Sequence, residues 1–589
     1  MERQFLLRCN LDSGKISKEE IPREVLVKYI GGRGLGVKYL SDEVSPGVNP
    51  LDRDNKMIFS VGPLTGSYAP TSGRYCCISK SPLTQTIFDS NSGGRFGPEL
   101  KNLGILAILI EGAASSLSYL YLNAEKEINE VRNASNLKGK DIWSSIDFLK
   151  RETEKDAKVA CIGPAGENLA LIACIISDKG HALGRGGLGA VMGSKNLKAI
   201  VLKGKKIKKD NKLKDISDQL QLAIKKNPVT KSSLPVFGTP VLVNIINELG
   251  MFPTNNFQEG TFDDAPGISG EKMKELYVIR NHACAGCRIA CGRITKINEE
   301  KKGKGPEFET IWAFGSQIGN NDLSLICEIN YLCNQLGLDT ISTGSTIGCA
   351  MELAEKGIFT DFPKFGEVKS LLNIIKQIAH KNGIGEKLSD GSKRLAEKFG
   401  EPDLAMTVKS LELPAYDPRG VQGQGLAYAT SNRGGCHLRA YMISTEILRT
   451  PIPMDRFSLA GKANIVKVYE DLSAMVDSLV LCRFSTFALS AIDYARMLSV
   501  VHQIEYSEKD VMKIGERIWN LERLFNQRVG FTMKDDTLPK RLLNKPLEIG
   551  GSRNRVVKLN QMLPEYYRVR GWDEKGKITT EKLAQLDIN

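Results

Sequence analysis

The sequence predicts an α+β fold in which a β-rich N-terminal domain precedes two mainly α-helical domains. Short apolar runs between glycine clusters fill roughly the first 200 of the 589 residues. Beyond them, apolar residues recur at helical spacing. The segment LELPAYDPRG, Leu411–Gly420, separates two such helical regions. We therefore expect domains at residues 1–205, 206–415 and 416–589.

Individual elements can be placed within this plan. The runs that predict strands are Lys56–Val61, Ala107–Ile110, Val159–Ile162 and Ala199–Leu202. Capping residues and glycines predict helices from Asp322 to Gly337, from Thr343 to Gly357 and from Ser507 to Gly530.

The charge balance is basic, because 81 Lys and Arg against 68 Asp and Glu give a formal charge of +13. This balance favours an acidic partner. Seven lysines lie within Lys203–Asp215, which we interpret as a solvated linker. That run lacks interleaved aromatic residues and no nucleic-acid module is evident, so we expect no nucleic-acid partner.

Two features argue against export and membrane insertion. Arg3 and Arg8 interrupt any apolar core of a signal peptide. The longest apolar run, Ile105–Ile110, is far shorter than the ~20 residues of a membrane span. We therefore expect a cytoplasmic protein without a membrane segment, whose 13 cysteines are thiols or metal ligands rather than disulfides.

Cys284, Cys287 and Cys291 form a C-x2-C-x3-C array within HACAGCRIACGR. Three thiolates this close favour three corners of an iron–sulfur cube, with a remote fourth ligand. Zinc remains an alternative, although no second close Cys or His pair is adjacent. A radical-SAM loop has the opposite order of spacings. The candidates for the remote ligand are Cys327, Cys333, Cys349, Cys436 and Cys482.

Glycine clusters suggest a large phosphate-bearing cofactor. Gly184–Gly189 satisfies G-x-G-x-x-G, but Ala199–Leu202 follows too soon for a Rossmann helix. The other clusters are Gly31–Gly36, Thr71–Tyr75 and Asn91–Gly97. Glycine lets backbone amides approach an anion, and arginine binds phosphate through paired donors. Turns of a β-rich domain would give the same pattern.

A series of motifs spans nearly the whole chain in a fixed order. They are GPLTG, APTSGRY, SNSGGRFGPELK, IGPAGEN, GRGGLGAVMGSKNLKAI, the cysteine array, GPEFE, GLDTIS, LELPAYDPRG and SNRGGCH. Together they resemble the tungsten-containing aldehyde ferredoxin oxidoreductase family. The resemblance implies an N-terminal base that holds two pyranopterins beneath two helical domains.

The resemblance also implies the cofactors. These are tungsten bound by the pterin sulfurs, which would accept molybdenum as well, Mg²⁺ bridging the pterin phosphates, and a [4Fe–4S] cluster. The implied cluster ligands are Cys284, Cys287, Cys291 and Cys482. The implied cofactor-binding residues are Arg74, Asn91, Gly93, Ala182, Asn334, Asp339, Arg439, Asp477 and Leu481.

Some positions depart from the family pattern. Pterin contacts come from the segments D-x-x-G-L-D and D-x-x-G-L-C, which here read NQLGLD and DSLVLC. Asn334 thus replaces an acid and Val480 replaces a glycine. Relatives with an iron bridging two subunits use E-x-x-H, whereas this chain has Glu328 and Tyr331. We therefore expect no bridging iron. The oligomeric state is not determined by this segment, and both a homodimer and a hetero-oligomer are compatible with it.

The family pattern places Glu309 and His437 at the tungsten, with Tyr416 lining the same pocket. The implied reaction is oxidation of an aldehyde by water to a carboxylic acid. Glu309 would act as the base, with a pKa raised by burial. His437 would hydrogen-bond the metal oxo group or the substrate carbonyl. Electrons would pass through the cluster to ferredoxin or to an iron–sulfur subunit.

Two alternative functions remain at this stage. The chain could be the tungsten subunit of a larger complex acting on an acyl-CoA or aromatic thioester. It could also be a non-catalytic iron–sulfur electron carrier that lacks the metallopterin.

Overall fold

The computed structural model describes residues 1–207 and 209–588, so Lys208 of the lysine run and Asn589 lie outside the described residues. The strands are β1 Phe5–Asn10, β2 Ile16–Glu20, β3 Met57–Ser60, β4 Tyr75–Lys80, β5 Ile87–Ser92, β6 Ala107–Glu111, β7 Ser118–Asn123, β8 Ile128–Asn133, β9 Lys158–Cys161, β10 Ile175–Ser177, β11 His181–Leu183, β12 Leu197–Lys203, β13 Val278–His282, β14 Gly292–Lys296, β15 Lys302–Lys304, β16 Thr407–Val408 and β17 Leu411–Glu412.

The α-helices concentrate in the later part of the chain. They are α1 Arg23–Tyr29, α2 Gly32–Glu43, α3 Phe96–Lys101, α4 Ile142–Glu152, α5 Pro164–Glu167, α6 Leu188–Ser194, α7 Lys214–Lys226, α8 Leu234–Phe237, α9 Leu242–Glu248, α10 Gly270–Leu276, α11 Phe308–Phe314, α12 Leu323–Leu336, α13 Thr340–Glu355, α14 Leu371–His380, α15 Gly385–Leu388, α16 Ser392–Lys398, α17 Gln422–Thr430, α18 Ile443–Glu446, α19 Lys462–Leu479, α20 Ala491–His502, α21 Glu508–Val529, α22 Lys540–Asn544, α23 Leu559–Arg570 and α24 Thr580–Gln585.

The N-terminal part contains two six-stranded, mostly antiparallel sheets. Their strand orders are β2-β1-β6-β3-β4-β5 and β11-β10-β9-β12-β7-β8. Side chains on a strand alternate between its faces. On β7, Leu120 and Leu122 therefore join the core shared with the first sheet, while Tyr119 and Tyr121 pack towards α4. The prediction of a β-rich N-terminal region followed by helical domains is confirmed.

The predicted helix limits agree closely with the structure. Asp322 caps α12 by accepting a hydrogen bond from the Leu325 N–H, and Gly337 ends it in a left-handed conformation. Ser507 and Gly530 limit α21 in the same way. The helix predicted from Thr343 starts earlier, at Thr340, because the Asp339 side chain caps it.

Most of the glycine cluster Gly31–Gly36 forms the start of α2 rather than a loop. A Cβ at Gly34 would lie 2.7 Å from Ile518 of α21, and one at Gly36 would lie 2.4 Å from Ile78 of β4. These glycines therefore allow α2 to pack closely on its neighbours. This packing joins α19 and α21 of the C-terminal region to the core of the N-terminal sheets.

The lysine run begins where β12 ends, and Lys205, Lys206 and Lys209 are exposed. A short 3₁₀ helix, Asn211–Leu213, leads from it into α7. The domain boundaries at 205 and 415 stay predictions.

No single helix in residues 1–207 and 209–588 has both the length and the hydropathy of a membrane span. Among the described residues, one pair of helices, Val229–Phe237 and Thr239–Glu248, has this length and hydropathy when taken together, but the pair is bent by 99°.

Candidate functional site

A cavity of about 1300 Å³ lies where the three predicted domains meet. Small-molecule sites usually measure about 300–1,000 Å³, so this space suits a large cofactor together with a substrate. The predicted site residues on its wall are Arg74, Asn91, Gly93, Ala182, Cys284, Cys287, Cys291, Glu309, Asp339, Tyr416, His437, Arg439, Asp477, Leu481 and Cys482.

One predicted residue, Asn334, is not among the described residues that line the cavity. It lies on α12, where its Nδ2 donates to the Asn330 carbonyl oxygen at 2.9 Å. The chain turns at Gly337 after this helix, so Asp339 reaches the wall while Asn334 does not. The geometry therefore gives no support to the prediction that Asn334 binds the cofactor.

The two related segments, NQLGLD and DSLVLC, have the same local shape. Each ends a helix with a left-handed residue, Gly337 at φ 78° and Val480 at φ 57°. A side chain in this conformation costs about 1–2 kcal/mol, and a β-branched one is especially disfavoured. Val480 nevertheless keeps the turn, and Asp477 and Cys482 both reach the wall. The substitution therefore strains the backbone without redirecting the segment.

The cysteine array forms the loop between β13 and β14, and two glycine-rich segments support it. A Cβ on Gly73 would lie 2.4 Å from the Ala285 carbonyl oxygen, and one on Gly93 would lie 2.5 Å from the Cys284 Sγ. The Ala285 N–H donates to the Gly94 carbonyl oxygen at 3.0 Å. Glycine is therefore needed at these positions for close approach of the loop.

Cys482, three residues after the end of α19, lies near the three loop cysteines. Its N–H donates to the Thr71 carbonyl oxygen at 3.2 Å. Burial, and then the neighbouring Cys482 thiol, raises the pKa of Cys287 to about 11. Burial and Glu307, followed by Cys482, raise the pKa of Cys291 well above its usual range. The four thiols thus lie in one neighbourhood, which is the arrangement that a four-iron cluster would require.

This neighbourhood differs from a single-ion site. Within the described part of the chain, no three His, Cys, Asp or Glu side chains are grouped to hold one metal ion. An iron–sulfur cube takes one thiolate at each iron, so its ligands need not surround a single point.

Glu309 lies in the first turn of α11 on another part of the wall. Its Oε2 accepts a hydrogen bond from the Ala415 N–H at 2.9 Å, whereas Oε1 is buried without a partner among the described residues. Burial raises the pKa of Glu309 to about 8. The carboxyl group is therefore largely protonated at neutral pH and becomes a base just above it.

His437 faces the free oxygen of Glu309, with Nε2 3.6 Å from Oε1. Burial, together with the charges of Arg185 and Arg433, lowers the pKa of the His437 imidazole well below its usual range. The ring is consequently neutral. Its Nδ1 is also buried without a partner in the part of the chain that the structure describes.

Tyr416 completes this polar group, with its ring centroid 5.6 Å from that of His437. Its hydroxyl lies 3.0 Å from the hydroxyl of Tyr441. Burial and the neighbouring Tyr441 raise the pKa of Tyr416 well above its usual range, so the phenol stays protonated.

A buried ion network anchors the residues predicted to contact the pterin. Arg439 donates to Asp477 at 2.9 Å and to Asp89 at 2.7 Å. Arg33 of α2 donates to Asp477 at 3.2 Å and to Glu522 of α21 at 2.7 Å. The closely packed helices thereby fix the cavity wall. Arg74 separately donates through Nε to the Asn91 Oδ1 at 2.7 Å.

Unpaired polar atoms show what the cavity is suited to bind. Those buried on lining residues, with no partner in the described structure, are Asn91 Nδ2, Ser92 Oγ, Glu309 Oε1, Arg433 Nε, His437 Nδ1, Arg439 Nε and Arg483 Nε. Buried donors without acceptors are costly, so a bound partner rich in acceptors is expected. A pterin carrying phosphate meets this requirement, and the residues present fit that group.

Sequence reasoning missed several residues of the wall. Arg185, Arg433, Tyr441 and Arg483 all line the cavity. Arg185 donates to the Glu412 and Gly435 carbonyl oxygens and to the Asp339 carboxylate, so it joins three motifs. The available signal was that Arg185 and Arg433 lie within the glycine motifs already singled out.

Tyr331, by contrast, is occupied within the chain. Its hydroxyl lies 2.6 Å from Thr295 Oγ1, and Glu328 pairs with Lys301 at 2.7 Å. In this chain, which departs from E-x-x-H, both Glu328 and Tyr331 therefore make contacts with neighbouring residues of the same chain.

The fold and site are typical of an oxidoreductase class with a large cavity, lined by unpaired polar atoms, that joins a group of cysteines to a buried acid–imidazole pair. Comparison with known families agrees. The model of the aldehyde ferredoxin oxidoreductase N-terminal domain matches residues 6–204, and the model of domains 2 and 3 matches residues 215–588. The chain belongs to the aldehyde ferredoxin oxidoreductase family.

Several individual proteins are similar over nearly the full length. The tungsten-containing aldehyde ferredoxin oxidoreductases of Pyrococcus furiosus and Thermococcus kodakarensis are each 47% identical, over 99% of this chain and 98% of theirs. The WOR-like subunit of an aliphatic sulfonate oxidoreductase from Pyrococcus furiosus is 29% identical, over 99% of this chain and 96% of its own.

A solved structure is also similar. The active-site complex BamBC of benzoyl coenzyme A reductase, with 1,5-dienoyl-CoA, gives a TM-score of 0.86 at 25% identity, covering 100% of this chain and 98% of the other.

Proposed function

We propose that this protein is a tungstopterin enzyme that oxidises an aldehyde with water to a carboxylic acid and delivers the electrons to ferredoxin. The observation that carries the proposal is the buried Glu309–His437 pair, which faces a cavity reached by four cysteines. The near full-length similarity to tungsten-containing aldehyde ferredoxin oxidoreductases supports the same activity.

The proposed cofactor contacts follow the unpaired groups of the wall. Arg439, with an unpaired Nε, and the half-buried acid Asp477 would contact the pterin rings. Arg74, Asn91 and Ala182 would hold the pterin phosphates and their Mg²⁺, with Gly93 lining the same part of the wall. Asp339 and Leu481 lie at the equivalent turns after α12 and α19. When bound, the tungstopterin accepts the two electrons released by the substrate.

The protein groups would manage water and protons. In its carboxylate form, Glu309 takes a proton from the water that attacks the aldehyde carbon, using Oε1. The Ala415 N–H holds the other oxygen and so orients the carboxylate. His437, neutral and 3.6 Å from Oε1, donates a hydrogen bond towards the developing oxygen charge. Overall, RCHO and H₂O give RCOOH, two protons and two electrons.

The neighbouring thiols support a [4Fe–4S] cluster as the exit for these electrons. Cys284, Cys287, Cys291 and Cys482 would each bind one iron. Arg74 is close to both the proposed phosphate site and the loop cysteines. It donates a hydrogen bond to Asn91, and, against the lowering effect of burial, the nearby Cys482 and Cys284 thiols raise the pKa of its guanidinium group. A cluster supplies one-electron steps to a one-electron carrier.

The first alternative, a subunit acting on an acyl-CoA or aromatic thioester, has a structural counterpart in the benzoyl coenzyme A reductase complex at 25% identity. The relatives at 47% identity favour a free aldehyde instead. The second alternative, an electron carrier without metallopterin, leaves the buried acid–imidazole pair without a purpose.

The activity can be tested with anaerobically purified protein, an aldehyde and benzyl viologen in ¹⁸O-labelled water. We expect viologen reduction that depends on aldehyde, with the carboxylic acid carrying ¹⁸O, because water supplies the added oxygen. Aldehyde exchanges oxygen with water by itself, so short incubations and a protein-free control are needed. Absence of acid, or turnover of an acyl-CoA alone, would contradict the proposal.

A further inference from the structure

A small basic pocket lies next to the cysteine loop, because His282 and Ala283 line it. It measures about 210 Å³, and Arg95, Lys150, Lys158 and Lys179 contribute to its lining. Asp178 is the only acid among the described residues that line it. Its Oδ2 accepts a hydrogen bond from the Arg95 N–H at 2.6 Å. Lys179 also pairs with exposed Asp147 at 2.6 Å. The pocket therefore keeps a positive balance.

This pocket is separated from the cavity by a pair of histidines. His181 and His282 line both spaces, and their Nε2 atoms lie 3.2 Å apart. Ala283, which also lines the pocket, is the neighbour of Cys284 in the chain. A group bound in the pocket would thus lie directly beside the proposed cluster.

The surface around the loop continues the same character. Arg280 and Arg288 are exposed, and so is Gly286 at the loop tip. Leu276 and Ile279 precede the loop with 49% and 47% of their surfaces exposed. Exposed apolar side chains within a basic surface are typical of small, transient protein contacts, in which charge guides the encounter.

We propose that an acidic one-electron carrier protein docks on this surface, with its carboxylates against the basic pocket and its redox centre over the cysteine loop. The proposal rests on the proposed function, because it needs electrons to leave through the loop cysteines. Charge complementarity and the position of the pocket beside Cys284 favour this occupant. The carrier accepts one electron at a time, and no chemical group is transferred between the two proteins.

Charge reversal at Lys150 and Lys158 tests the proposal, since both lie outside the cavity. The Lys150→Glu/Lys158→Glu variant and a matched Lys376→Glu/Lys398→Glu control would be assayed as loaded enzymes. The control changes net charge equally on α14 and α16, which contribute no described residue to either cavity. Two acceptors would be compared at low salt, a purified acidic [4Fe–4S] ferredoxin and the cationic benzyl viologen.

We expect the pocket variant to raise the KM for ferredoxin about tenfold, within the range of electrostatic steering. Its KM for viologen should stay equal or fall, because a cation now meets a less basic surface. The control should match wild type with both acceptors. A general folding defect would instead impair turnover with both acceptors. In that case the salt dependence of the wild-type enzyme tests the docking proposal, because the KM for ferredoxin should rise with NaCl.

The proposal is overturned if the ferredoxin KM of a folded pocket variant equals that of the control, or if the wild-type KM does not change with salt. Either result would leave aldehyde-dependent viologen reduction intact and therefore the proposed function standing. Loss of viologen reduction in the wild type would instead contradict the function itself.

Discussion

Replacing Glu309 by glutamine is expected to lower the kcat of aldehyde oxidation by about 10²–10⁴-fold, the usual contribution of a general base. Glutamine has the same shape, and its side-chain oxygen can still accept the Ala415 N–H. The variant should therefore fold and bind cofactor. What it loses is the atom that receives a proton, so the KM for aldehyde should change little.

The pH dependence provides a second readout of the same group. Since burial raises the pKa of Glu309 to about 8, the active carboxylate form increases as pH rises. The wild-type kcat/KM should rise about tenfold per pH unit below that value and level off above it. The Glu309→Gln variant should lack this inflection. Glu328→Gln is a suitable control, because Glu328 pairs with Lys301 and does not line the cavity.

Near wild-type turnover by Glu309→Gln, with full tungsten and iron content, would exclude Glu309 as the base. An unchanged inflection near pH 8 in that variant would assign the titration to another group.

Replacing Cys482 by alanine is expected to remove the four-iron cluster and with it electron delivery to ferredoxin. Cys482 is the only proposed ligand outside the β13–β14 loop, so its loss leaves three thiolates on one side. Iron analysis and EPR of the reduced protein would measure the effect. The structure predicts loss of the four-iron signal, or its conversion to a three-iron signal.

Cys349→Ala is the matched control, because Cys349 is a fully buried cysteine of α13 and not on the cavity wall. It should keep the iron content and signal of the wild type. An intact four-iron signal in Cys482→Ala would show that a different residue completes the ligand set.

Much of the fold could be predicted from local chemistry. Asp322, Ser507, Gly337 and Gly530 limit their helices as expected, because capping depends on a few neighbouring residues. The role of the cluster Gly31–Gly36 could not be predicted, for the opposite reason. Its glycines serve contacts with residues hundreds of positions away, such as Ile518, and a loop and a close helix contact both require glycine.

The site could be predicted in part for similar reasons. Almost every residue predicted from the motifs lines one cavity. Asn334 does not, because it lies on α12, whereas Asp339, five positions later, follows the end of that helix. Tyr441 and Arg483 lie in no motif that sequence reasoning singled out. Their places on the wall depend on how α17, α19 and the loops after them pack, which local patterns do not specify.

Metal analysis of the anaerobically purified protein would show whether the chain holds both a metallopterin and an iron–sulfur cluster. If the chain holds a tungstopterin beside a four-cysteine cluster, the protein should contain about four iron atoms for each atom of tungsten or molybdenum. Pterin and magnesium should also be present. Iron without tungsten or molybdenum would contradict the account and indicate an electron carrier. Tungsten without iron would contradict the assignment of the four cysteines.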